Sequence, residues 1–101
     1  MSDDEPRDVR EFIAAEALRL VAGPRATDYG PVEENFERVA RFWTAYLQNT
    51  GRNVVLGSSD VAPMMRMLKE ARLCGNDDHL DSFIDLVGYT LLGAEVNGAE
   101  E

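Results

Sequence analysis

One cysteine in 101 residues is too few for a disulfide within the chain, and Cys74 has no CxxC companion that would build a zinc site. A reducing cytoplasm is the expected setting. Long hydrophobic runs are missing too. No stretch approaches the roughly 18 apolar residues that span a bilayer, and no charged-then-apolar leader opens the chain. Positive charge is scarce: ten Lys and Arg against nineteen Asp and Glu leave a net charge of −9. That balance argues against non-specific binding to nucleic acid or to an anionic membrane. Histidine is single as well. His79 has no Cys or Ser arrangement around it that would make a nucleophilic site.

What is present is an ordinary globular composition, with 45% hydrophobic residues. A chain of this length is one domain and buries only about two-thirds of its unfolded surface, so self-association would add burial. Residues 1–6 and 97–101 are polar and acidic and read as disordered tails around a helical domain over residues 7–96.

Four segments carry helical spacing. Val9, Phe12, Ile13, Ala17, Leu20 and Val21 recur as one helix that Gly23-Pro24 stops. Pro31 opens a second, with Glu33 and Glu34 at the positive end of its dipole. Val32, Phe36, Val39, Trp43, Tyr46 and Leu47 form its apolar stripe, and the QNTGRN turn ends it. The short VVL run reads as a loop packed on the bundle. Ser58, Ser59 or Asp60 caps a third helix, with Pro63 in its first turn and Val61, Met64, Met65, Leu68 and Ala71 inward. Gly75-Asn76 breaks it. The fourth helix is predicted from about Asp77 to Val96, with Leu80, Phe83, Ile84, Val87, Leu91 and Ala94 inward. The fold class this implies is an all-α, four-helix bundle-like single domain.

The chemistry concentrates where the third helix turns back into the fourth. Asp78, Asp81 and Asp85, at i, i+3 and i+7, share one side of the fourth helix, beside its apolar stripe. Stacked like charges repel unless something positive stands opposite. Lys69 and Arg72 supply that charge late on the third helix, with Arg72 on the line of Val61, Met65 and Leu68. Two readings follow. In one, an Arg72–Asp81 or Lys69–Asp85 ion pair registers the hairpin. In the other, the carboxylates hold Mg²⁺ and the two cations hold phosphates. Gly88, one turn past Asp85, points to close approach by another backbone or a ligand. Elsewhere, Asn35 borders the apolar stripe beside Phe42 and is placed to touch a ligand or cap a loop. Tyr29, in the Asp28-Tyr29-Gly30 turn, is placed to stack on a base. Glu34 and Glu37 form an ExxE pair on a side read as solvated. Cys74, near a helix C-terminus, reads as a buried or idle thiol.

The succession DYG, a helix with NF and FWTAY, then DVAPMMRMLKEAR and DSFIDLVGY, resembles small phage and prophage proteins related to the MazG-like group. These are all-α nucleoside triphosphate pyrophosphohydrolases. The resemblance covers about residues 25–95. It implies a helical bundle that assembles as a homo-oligomer in the host cytoplasm. It also implies Mg²⁺-dependent cleavage of a nucleotide between its α- and β-phosphates. Asp81 and Asp85 match the acidic pair of the last helix, assisted by Asp78, and Lys69 and Arg72 match the basic positions before it. Glu34-Glu37 has the ExxE form of these enzymes, but no ExxD follows at their spacing. The alternative is a function of a different class: a non-enzymatic, phage-encoded helical module that binds a host protein. Its Lys/Arg–Asp cluster would then be purely structural.

Overall fold

The computed structural model describes residues 8–23 and 30–101, and every regular element among them is an α-helix. Helix α1 is Val9–Ala22, α2 is Val32–Asn49, α3 is Ser58–Gly75 and α4 is Leu80–Val96. The all-α class and the four helices read from periodicity are therefore the ones found among the described residues.

Each helix ends for a local reason. Asp8 caps α1 by accepting from the Arg10 N–H at 2.7 Å. The Arg10 guanidinium holds the same carboxylate, chiefly by a side-chain hydrogen bond, and keeps its pKa below the ordinary Asp value. With the folded pKa depressed, this cap contributes above the unfolded Asp pKa and is lost as pH falls through the lowered one. α2 closes in a Schellman turn. Gly51, at φ 88°, takes the left-handed position, Arg52 N–H donates to Leu47 C=O at 2.8 Å and Gly51 N–H to Gln48 C=O at 3.1 Å. Gly98, at φ 68°, ends α4 in the same way, with Ala99 N–H donating to Ala94 C=O. The VVL segment stays a loop. Its Leu56 N–H donates to Thr44 Oγ1 at 2.8 Å, which ties it to α2.

Two boundaries differ from the sequence reading. α3 begins at Ser58, so Pro63 lies in the second turn rather than the first. The carbonyl it leaves without an intrahelical donor, that of Ser59, belongs to an exposed residue and can be hydrated. Asp60 caps by reaching back, its carboxylate accepting from Gly57 N–H at 2.8 Å. α4 begins at Leu80, with His79 as its N-cap, so Asp77 and Asp78 precede the helix instead of opening it.

α4 is the hub. It packs against α3 and α1 and touches α2, and among the described residues α1 packs on no other helix. The core is small: Phe36 and Ala40 of α2, Val61 and Ala62 of α3, and Leu92 of α4, flanked by half-buried Val21, Trp43, Met65 and Tyr89. The face that α4 turns inward is not its apolar stripe. Ser82, Ile84, Gly88, Leu92 and Gly93 are buried, whereas Leu80, Phe83, Leu91 and Ala94 are exposed and only Ile84 of the predicted inner set is buried. The reason is proximity. A Cβ on Gly93 would stand 3.0 Å from the Ala62 Cβ, and one on Gly88 would stand 3.6 Å from Val21 Cγ1. Small side chains let α3 and α1 approach on that side. α3 is rotated correspondingly: Val61, Ala62, Lys69 and Leu73 are buried, while Met64, Leu68 and Ala71 are exposed.

The two helical glycines are expected to behave oppositely. Gly88→Ala meets only an ordinary contact and gains helix propensity, so it should raise stability by about 1 kcal/mol. Gly93→Leu drives a side chain into Ala62 and should lower stability by about 2 kcal/mol. Thermal unfolding followed by circular dichroism measures both.

Candidate functional site

The only ion pair between helices among the described residues joins α3 to α4: Lys69 Nζ lies 2.9 Å from Asp85 Oδ2. Lys69 is 9% exposed overall, while the Asp85 carboxylate side remains 36% exposed. Four-residue periodicity places Lys69 on the same line as Ala62, Met65 and Leu73, so its stem lies along the packed side of α3 and carries the ammonium toward α4. An ammonium buried to this degree needs a partner, and Asp85 provides it. Of the pairings the sequence left open, Lys69–Asp85 is formed.

The other members do not join it. Arg72, expected to point inward, is exposed and makes no ion pair among the described residues. The rotation of α3 that buries Lys69 carries residue 72 to the edge. Asp81 is exposed on the first turn of α4, and Asp78 is exposed in the turn before it. The three carboxylates therefore do not form a helical ladder. Mg²⁺ needs several oxygens converging on one point. Among the described residues no three His, Cys, Asp or Glu side chains form such a group. Asp85 already faces an ammonium, a poor neighbour for a second cation.

Asn35 is half-buried on α2, seven and eleven positions before Phe42 and Tyr46, which are both exposed on the same flank. Tyr29 and Asp28 lie outside the described residues. Glu34 and Glu37 are exposed as expected, and Glu37 pairs with Arg41 at 3.6 Å. Cys74 is exposed rather than buried.

Two features escaped sequence reasoning. His79 Nδ1 and Ser82 Oγ are 2.7 Å apart, and Ser82 is 1% exposed, so this pair closes the first turn of α4 with the serine hydroxyl buried. The second is a cleft of about 590 Å³ between the outer flanks of α3 and α4, lined among others by Arg66, Met67, Glu70, Val87 and Leu91. The signal for its position was the row Ser82, Gly88, Gly93. Small residues mark the side that packs, and the larger apolar ones are left outside.

A family model described as a domain of unknown function, DUF6378, matches residues 12–97. The chain belongs to the DUF6378 family. Gene 55 protein of Mycobacterium phage L5 is 43% identical over 77 residues, covering 76% of this chain and 47% of that protein. Gene 55 protein of Mycobacterium phage D29 is 39% identical over 79 residues, covering 78% and 49%. The chain thus spans about half the length of these curated relatives. No solved structure matches. The expected kinship with phage proteins is found, while nothing in these matches ties the family to the MazG-like group.

Breaking the interhelical pair should leave an ammonium without its partner. Asp85→Asn is expected to cost about 1–2 kcal/mol with no ligand present, less than a fully buried pair because the carboxylate is partly hydrated. The double substitution Lys69→Met/Asp85→Leu should recover most of that loss. Denaturant unfolding of the three variants tests this.

Proposed function

We propose that this chain is a phage-encoded helical binding module that engages a protein partner, of the host or of its own kind, through the outer side of the α3–α4 hairpin. One observation carries the reading. α4 spends its small residues on intramolecular packing and leaves Leu80, Phe83 and Leu91 exposed, with Leu91 lining the same cleft as the exposed Met67 of α3. An apolar strip rimmed by polar groups is the common form of a protein-binding surface. On this reading the Lys69–Asp85 pair reinforces the register of the hairpin and takes no part in chemistry.

A second reading follows the MazG-like resemblance: a nucleotide bound with Mg²⁺, the metal on Asp78, Asp81 and Asp85 and the phosphates on Lys69 and Arg72. What favours it is that Arg72, Asp78 and Asp81 are exposed and stand in no ion pair among the described residues. The two readings part in simple measurements. For the binding module, nucleoside triphosphates with Mg²⁺ or Mn²⁺ leave the melting temperature unchanged. A stabilisation that disappears in Asp85→Asn would establish the nucleotide reading instead. The immobilised chain should retain a protein from host lysate or a soluble copy of itself. Leu91→Glu and Phe83→Glu should each lose that protein while keeping the helical circular dichroism. Retention that neither substitution reduces would sink the binding-module proposal.

A further inference from the structure

We infer that the outer face of the α3–α4 hairpin is closed by a second copy of this chain, in a two-fold arrangement that sets Arg66 of each copy against the partner subunit's Glu70. The inference rests on the binding-module reading and names its occupant.

The charge pattern selects the partner. Arg66 and Glu70 both line the cleft, one turn apart on α3, and neither stands in an ion pair among the described residues. Opposite charges at i and i+4 on one helix are self-complementary under a two-fold axis. When two copies of α3 cross antiparallel at the level of Met67 and Leu68, residue 66 of one meets residue 70 of the other, and the contact occurs twice. Lining the same cleft are Met67, which is 62% exposed, and Leu91, which is 39% exposed. They supply an apolar centre within a polar rim.

Net charge points the same way. A chain carrying −9 repels its own copies over most of its surface. At the cleft the charged lining is one cation and one anion, so the local balance is neutral and self-contact is unopposed there. A strongly basic partner would find no excess of acid at this position.

Shape is the third argument. The radius of gyration is 16.0 Å and the extents are 57 × 31 × 27 Å, against roughly 13 Å expected for a compact domain of about 100 residues. In this elongated chain α4 packs on its neighbours by one face and leaves Leu80, Phe83 and Leu91 outside. A second hairpin laid across the open side of α4 would make it a central element of a two-layer assembly.

Sedimentation equilibrium on the purified chain tests the inference. A dimer is expected, with Arg66→Glu and Glu70→Arg each weakening it by at least about tenfold, since each places like charges together twice. The double reversal Arg66→Glu/Glu70→Arg should restore it, which a merely destabilised fold would not do. Leu91→Glu should yield monomer with unchanged helicity. A wild-type monomer at micromolar concentration, or a dimer indifferent to both reversals, overturns the inference. In either of those cases the binding-module reading is decided separately, by whether capture of a host protein still depends on Leu91.

Discussion

The close approach of α3 to α4 at Ala62 and Gly93 is the constraint on which the rest of the molecule depends. Two helices can come that near only where neither carries a large side chain. With 3.0 Å available to a hypothetical Cβ, Gly93 leaves no choice about which side of α4 faces α3. Once that side is chosen, Ser82 and Asp85 turn toward the interior as well, because they lie on the same side at helical spacing. Lys69 is then carried into the packed face of α3, and its ammonium meets the Asp85 carboxylate. The ion pair is a consequence of backbone packing more than a cause of it.

The same choice determines what the surface can do. A helix with apolar residues on two sides can satisfy only one of them inside a four-helix chain of this size. α4 satisfies the side that fits most closely and leaves the bulkier one outside, next to Met67. The charged residues that looked like a metal and phosphate site are divided by that geometry. Lys69 and Asp85 are committed to each other, while Arg72, Asp78 and Asp81 face solvent separately. A surface suited to docking and a charge pair suited to registering a hairpin come from one packing decision.

Much of the fold was legible from residue order. The number of helices follows from apolar spacing broken at Gly23-Pro24, at the turn after Gln48 and at Gly75-Asn76. Boundaries were less exact where polar residues served as turn rather than helix, as Asp77 and Asp78 did before α4. The candidate site was legible as a set of residues and not as an arrangement. Lys69–Asp85 was one of two pairings that the spacing allowed. The wheel favoured Arg72 over Lys69 as the inward cation because it followed the line of Val61, Met65 and Leu68. The packed face instead follows Ala62, Met65 and Lys69, which a hydrophobicity pattern underweights.

By itself, then, residue order determined the all-α class, the four helices of the described residues, the acidic charge and the presence of a cation–carboxylate pairing at the last hairpin. These depend on local propensity, on turn-forming residues and on composition, all of which act over a few positions. Only the tertiary structure decided which face of α4 is inside, which lysine or arginine meets which aspartate and which apolar strip stays in water. Those outcomes depend on how near two backbones can come, and closeness rewards the smallest side chains in a row rather than the most hydrophobic.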